Sequence, residues 1–383
     1  MEPIPGRSLA RSREYFARAR KVIPSCTQTF SKGHTQFVQG VAPIFLERGR
    51  GSHVWDVDGN EYVDYVMALC PIVLGYDDPD VVAAVQRQLA DGVTFSLAHP
   101  LEVEVAETLT KVVPCAEMVR FGKNGSDATS GAVRAARAYT GRDVIACCGY
   151  HGWQDWYIGT TTRSRGVPAP VRELTRTFTY NDLGSLERIF AEHPGRVAAV
   201  ILEPVGVVEP EGDFLQCVAT LTHAHGALLI FDEIFFSVTF GGEALSLAAA
   251  RATIAKLREQ NVIEHLWRQG TRLRDGYNAL AREVGLASRT QCLGYPPRTV
   301  LTFSDVAGTP ALAMKSLFQQ EVIKRGILIA GGFNLCYAHS DDDIRRTLEA
   351  CGDALAILAR ALAEDRVAAR LEGPVIQPVF RSA

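Results

Sequence analysis

The sequence has no apolar run of about 18 residues or more, which excludes a membrane-spanning helix. It has no basic block either. Its 40 Lys and Arg are offset by 43 Asp and Glu, for a net charge of −3, so nothing points to a nucleic acid or a membrane surface as partner. No CxxC pair occurs among the nine cysteines, which removes a zinc ribbon and a redox motif and leaves buried, reduced thiols of a cytoplasmic protein as the expectation. The N-terminal stretch MEPIPGRSLARSREYFARARKVIP lacks the apolar centre of a signal peptide and reads as a surface helix over 8–22 that stops at Pro24. There is no internal repeat, no low-complexity segment and no GxxxxGK(S/T), so the apolar run that ends in Asp232-Glu233 is not the second motif of a nucleotide hydrolase. Lysine is scarce: Lys21, Lys32, Lys111, Lys123, Lys256, Lys315 and Lys324 are all there are.

What is present is ordinary globular chemistry, with 47% hydrophobic and 22% charged residues over a length of 383 that suits two domains. Alternating apolar residues around Asp58-Gly59-Asn60 predict a hairpin. Amphipathic helices are expected at 79–91 and 100–113. From residue 118 strands alternate with helices. Met118–Phe121 reads as a strand, then the turn Gly122–Ser126, then a helix from Ala128 to Tyr139. Val144–Cys148 is the next strand, delivering Tyr150, His151 and Trp153. After a helix at 183–194, Val197–Leu202 delivers Glu203. After a helix at 214–225, Ala227–Phe231 delivers Asp232 and Glu233. This alternation predicts a parallel sheet. Its carboxyl edge, where ligands of open α/β sheets sit, gathers Ser126, Tyr150 or His151, Glu203 and Asp232. The turn at 122–126 is either a phosphate cradle at a helix N-terminus or a plain tight turn. Tyr150 and His151 taken alone are either site residues or packing. Beyond Ser246 the pattern predicts one long amphipathic segment over 249–284, a strand at Arg298–Phe303 and helices at 311–325 and 341–364.

The stretches VWDVDGNEYVDYV, RFGKNGSDATSGAVRAAR, GYHGW, ILEPVG, LLIFDEI, TFGGEALS, KRGILIAGGFN and YAHSDDDI occur in this order. Together they resemble the class III aminotransferases that use pyridoxal 5'-phosphate, and most of all their glutamate-1-semialdehyde 2,1-aminomutase-like branch. The resemblance implies an α/β, aspartate-aminotransferase-like architecture, PLP fold type I. A large domain over 71–260 would carry a mostly parallel sheet. Residues 1–70 and 261–383 would form a smaller α+β domain from both termini. It implies transfer of an amino group on a carboxylate-bearing amino acid or amino-ketone, as a transaminase or a mutase. Gly125 and Ser126 would hold the cofactor phosphate. Tyr150 would stack on the pyridine ring with His151 beside it, Glu203 would lie near the ring, and Asp232 would pair with the pyridine nitrogen. Thr239 would reach the phosphate of a neighbouring subunit in a homodimer. Lys32 stands where the aminomutases carry an arginine for the substrate carboxylate; it keeps the charge and loses the two-pronged fork.

One part of the pattern is missing. The family places a Schiff-base lysine in a segment between the Asp-Glu pair and the TFGG stretch. Here Asp232 and Thr239 are separated only by Glu233, Ile234, Phe235, Phe236, Ser237 and Val238. The sequence is intact on both sides of a join at about 234–236, as a single excision would leave it. Lys123, in the phosphate turn, is the nearest candidate to stand in for it, and Lys256 reads as surface charge. The expected consequences are a sheet with bare strand edges and a catalytically inactive relative as the alternative to an amino-transferring enzyme.

Overall fold

The computed structural model describes residues 1–4, 7–206, 208–233, 243–306 and 308–377. In chain order its elements are α1 (Ala10–Val22), β1 (Leu46–Arg50), β2 (His53–Asp56), β3 (Glu61–Asp64), α2 (Pro79–Asp91), α3 (Pro100–Val112), α4 (Gly125–Thr140), β4 (Val144–Cys148), α5 (Asp155–Ile158), α6 (Ala169–Arg172), β5 (Thr175–Thr177), α7 (Leu183–Glu192), β6 (Val197–Leu202), α8 (Phe214–Ala224) and β7 (Leu228–Phe231). They continue with α9 (Ala244–Glu259), α10 (Val262–Glu283), β8 (Thr290–Leu293), β9 (Val300–Phe303), α11 (Ala311–Lys324), β10 (Ile327–Leu328) and α12 (Asp341–Ala363). The chain divides into two compact units, one of Met1–Pro79 with Ala255–Val379, the other of Asp80–Ile254.

The 80–254 unit is built on a four-stranded sheet in the order β5-β4-β6-β7, every pair parallel. All six residues of β6 are buried, and an unbroken apolar run such as VAAVIL is what a central parallel strand requires, because both of its faces are covered. Alternate residues serve the two faces. Val144, Ala146, Val200 and Leu202 meet Leu186, Ile189, Phe190, Phe214 and Val218 on one side. Ile145, Cys147, Ala199 and Ile201 meet Val133, Ala136, Trp156 and Tyr157 on the other. Each large aliphatic side chain so buried stabilises the unit by roughly 1.5–3 kcal/mol before entropy is counted.

β7 is less well covered. It pairs with β6 alone among the described residues, its residues are half-buried or exposed, and Phe231 is 43% exposed. Met118–Phe121 departs from expectation. It joins no sheet among the described residues, and Met118 is 91% exposed. Among the described residues no strand flanks it; Phe121 instead packs on the cluster of Ala84, Leu101, Val105 and Leu247 from α2, α3 and α9. An unpaired edge that carries a large apolar residue is prone to intermolecular pairing. Phe231→Lys is expected to slow concentration-dependent aggregation, measured by static light scattering at neutral pH. Unchanged scattering would mean that the edge is already protected.

The other unit holds the sheet β1-β2-β3-β10, with the predicted hairpin β2–β3 antiparallel and β10 parallel to β3. The hairpin turn also serves α1, whose N-cap position, Leu9, supplies no side-chain cap. The two carboxylate oxygens of Asp58 accept from the backbone N–H groups of Arg11 and Ser12, each at 2.8 Å, and so satisfy donors the helix start leaves open. α11 is buried almost all round, from Ala313 to Ile323. Tyr277 meets Phe318 edge-on at 5.6 Å, and Tyr65 stacks on His339 at 4.4 Å.

Three readings need correction here. The single helical segment at 249–284 is two helices, broken where Asn261 takes the N-cap position of α10. Lys256 is not surface charge: its side chain is 11% exposed and its Nζ lies 2.8 Å from Asp78 Oδ2, in a buried ion pair. Nor are the cysteines uniformly buried. Cys147, Cys292, Cys336 and Cys351 are, whereas Cys115 and Cys217 are exposed; all nine are free. No helix of the described residues is long and apolar enough to cross a membrane.

Candidate active site

Because β4, β6 and β7 run parallel, the residues just past their carboxyl ends meet at one edge of the sheet. Past β7, Asp232 is fixed by its backbone N–H donating to Leu202 O at 2.9 Å. Past β4, the chain turns through Gly149 and Gly152, at φ +102° and +108°. This turn sends His151 inward: its Nδ1 lies 2.8 Å from Asp232 Oδ2 and its Nε2 3.0 Å from Cys148 O, with side-chain exposures of 0% for His151 and 5% for Asp232. Both ring nitrogens face acceptor oxygens. The imidazole therefore locks one carboxylate oxygen in place, and Trp156, stacked at 6.1 Å, with Tyr157, edge-on at 5.3 Å, holds the imidazole.

Past β6, Glu203 Oε2 accepts from the Tyr150 N–H at 3.2 Å, which ties the β4 turn to the β6 end. A Cβ on Gly149 would lie 2.6 Å from that same oxygen, and the φ of +102° at this position favours glycine in any case. Tyr150 is 40% exposed and stands edge-on to Tyr157 at 5.5 Å.

The helix expected from Ala128 begins earlier, at Gly125, with Asn124 as N-cap accepting from Asp127 N–H at 3.0 Å. Gly125 and Ser126 are thus its first turn, and among the described residues no acceptor takes their N–H groups. Those donors and the helix dipole suit an anion. Ser126 Oγ is brought against the β4 turn, where it accepts from Trp153 N–H at 3.3 Å, and a Cβ on Gly152 would lie 2.2 Å from it. Thr129 adds a buried tie from α4, its hydroxyl donating to His151 O at 2.9 Å. Lys123 is engaged elsewhere, paired with Glu243 at the start of α9.

The fold therefore brings Gly125, Ser126, Tyr150, His151, Glu203 and Asp232 into one unit around one sheet edge. Lys32 belongs to the other unit, where it is exposed and its charge acts on buried Asp64. Thr239 and the join at 234–236 lie outside the described residues. Thr129, Trp156 and Tyr157 went unnoticed in the sequence, although the burial of Trp156 and Tyr157 in an otherwise polar stretch was a signal that aromatic residues so close to GYHGW carried. No cluster of His, Cys, Asp and Glu among the described residues could hold a metal ion.

The family model of the class III aminotransferases matches residues 36–237. The glutamate-1-semialdehyde 2,1-aminomutase of Desulfitobacterium hafniense (strain Y51) is 32% identical over 425 aligned positions, which take in 90% of this chain and 98% of the relative. That alignment is longer than the chain, so some of the relative's positions have no counterpart here. The 3-aminobutyryl-CoA aminotransferase of Cloacimonas acidaminovorans (strain Evry) is 28% identical, with 92% of this chain and 99% of the relative covered. Among solved structures, the FumI protein of Sphingopyxis sp. MTA144 in a PLP form superposes with a TM-score of 0.83 at 26% identity, over 96% of this chain and 99% of that one. An aminomutase from Pseudomonas aeruginosa PAO1 shares the fold, with a TM-score of 0.77 at 21% identity over 91% and 94% of the two chains.

Proposed function

Because the chain belongs to the class III aminotransferases, in PLP fold type I, we propose that the edge of its parallel sheet holds pyridoxal phosphate or its amine form and serves the transfer of an amino group. The observation that carries this reading is the buried His151–Asp232 pair at 2.8 Å, opposite open N–H groups in the first turn of α4. Bound there, the cofactor supplies an electron sink for a carbanion beside the transferred nitrogen. Asp232 holds a proton at the pyridine nitrogen, a charge-assisted contact of the stronger kind. His151 keeps that carboxylate from turning away. Tyr150 stacks on the ring, Glu203 fixes the backbone of Tyr150, and Gly125, Ser126 and the α4 dipole receive the phosphate.

The substrate class is an amino acid or amino-ketone with a carboxylate, for which Lys32 supplies a point charge. Whether mutase or transaminase, this reading includes a cytoplasmic homodimer in which Thr239 meets the neighbouring subunit's phosphate. It also includes a cofactor held without a covalent tether in the 80–254 unit. None of the seven lysines lies between Asp232 and Thr239, and Lys123, in the turn before α4, is paired with Glu243. A catalytically inactive cofactor-binding relative is the second reading that this composition favours. The test is a titration with pyridoxal phosphate, whose aldehyde can condense with an amine, followed by dialysis. One equivalent bound per chain and then released is expected, with no pyridoxyl group fixed on Lys111 or Lys123 by borohydride. A borohydride-stable adduct on either lysine contradicts the untethered state, and no binding at all contradicts the site. Turnover of amino donors by the same preparation separates enzyme from inactive relative.

A further inference from the structure

Lys315, on α11, differs from every other lysine of the chain. Lys256, Lys123 and Lys324 are ion-paired with Asp78, Glu243, and Glu321 and Glu372. Lys21, Lys32 and Lys111 are exposed. Lys315 is half-buried, on a helix whose neighbouring residues Met314, Ser316, Leu317 and Phe318 are buried. Among the described residues no hydrogen bond or ion pair engages it. Its Nζ keeps at least a trace of solvent exposure. A half-buried, unpaired amine is an unusual state for a lysine, since loss of hydration without a counter-ion favours the neutral form. Burial accordingly lowers its pKa from the ordinary lysine value.

The tip rests on a firm backbone wall. Nζ lies 3.3 Å from where a Cβ on Gly331 would sit, and Leu301 N–H donates to Gly331 O at 2.8 Å. A Cβ on Gly332 would fall 1.9 Å from Thr299 O, so this chain crossing admits only glycine. An anion site would need several converging donors. The side-chain donors of the neighbouring residues are spent: Ser316 Oγ donates to Leu312 O, Thr299 Oγ1 to Phe333 O, and the Gln319 amide to the carbonyls of Gln36, Ile329 and Ala330. What remains is a lone amine that holds its proton less firmly than an ordinary lysine and, once deprotonated, is a nucleophile toward carbonyl carbon.

We propose that Lys315 is a carbonyl-trapping site that condenses reversibly with the aldehyde of a small soluble compound. The amine nitrogen bonds to the aldehyde carbon, the carbon–oxygen bond breaks, and the two amine protons leave with that oxygen as water. Nothing is oxidised or reduced. The residues involved all belong to the unit that lacks the cofactor-site residues, so the proposal stands independently of the cofactor reading.

The test uses the full chain and pyridoxal, an aldehyde without the phosphate that the α4 turn would bind, with cyanoborohydride to fix the product and peptide mass mapping to find it. At neutral pH, labelling of Lys315 is expected to run several-fold faster than that of Lys21 or Lys111, and its rate profile to lie at lower pH than theirs. Lys315→Arg, with an unchanged melting curve, is expected to abolish that label and leave the others. Gly331→Ala, which presses on the amine, is expected to slow it. A label spread over Lys21, Lys32 and Lys111 with Lys315 no faster, or with one shared pH profile, overturns the proposal.

Discussion

Asp232→Ala is expected to lower the affinity for pyridoxamine phosphate by about 100-fold, corresponding to about 3 kcal/mol, as read by absorbance titration. The carboxylate is 5% exposed and meets His151 at 2.8 Å, so its removal takes away the partner of the pyridine nitrogen and also leaves His151 Nδ1 without an acceptor inside the protein. A buried polar atom stranded in this way costs about 1–3 kcal/mol, so a lower melting temperature accompanies the lost affinity. Asp232→Asn separates the two effects. The amide keeps the shape and offers a hydrogen bond to the ring, but it loses the charge. Its stability is expected to lie near that of the parent and its affinity near that of the alanine variant. Unchanged cofactor affinity in both variants would remove Asp232 from the role proposed for it.

Acidification from pH 7 to pH 4 is expected to cost the protein about 3 kcal/mol through His339 alone. The ring is wholly buried, stacked on Tyr65, and both nitrogens are committed: Nδ1 accepts from the Cys336 N–H at 2.9 Å, and Nε2 donates to Asp64 O at 3.1 Å. A second proton has no place to go, and burial brings the pKa from 6.5 down to about 4. Folded His339 thus binds its proton less readily than unfolded His339. Its contribution is whole above pH 6.5 and disappears as the pH falls through 4. His53, whose pKa is raised by its hydrogen bond to Asp343, works in the opposite sense, adding stability below pH 6.5 and losing it as the pH rises through its own folded value. Asp343 is held well below the usual carboxylate range, so its contribution starts to fade only under pH 3.8, outside the window of His339. Urea unfolding at pH 7 and pH 4 checks the result. His339→Phe should be less stable than the parent at pH 7 and flatter across the window. An equal slope in both proteins would assign the acid sensitivity to other groups.

The sequence made the sheet legible where strands were long and doubly buried. Val144–Cys148 and Val197–Leu202 coincide with β4 and β6, because a continuous apolar run has few alternatives. β5, β8 and β10 escaped notice, being three, four and two residues long. No periodicity develops over so few residues. Met118–Phe121 had the composition of a strand, but a strand needs a neighbour to bond with, and that is decided far away in the chain. At the site, the side of the sheet on which Asp232, His151, Glu203 and Ser126 meet followed from parallel order alone. That His151 should turn inward to Asp232 did not, since it depends on positive φ angles at Gly149 and Gly152 on either side. Lys256 and Lys315 show the same limit from the other direction. Each is a lysine on a helix by sequence, and only packing makes one an ion-pair partner and the other a solitary amine.

The pairing of β3 with β10, Val63 beside Ile327, sets an order of assembly during synthesis. When the ribosome has released residues 80–254, every strand of the parallel sheet is present and short-range contacts can close it. The first 79 residues must meanwhile wait beside it with the hairpin β2–β3 lacking its last neighbour until Ile327 emerges. Vectorial folding therefore finishes the inserted unit first and its host last. The half-made host, rather than the sheet that carries the site, is where a chaperone would find this chain waiting longest.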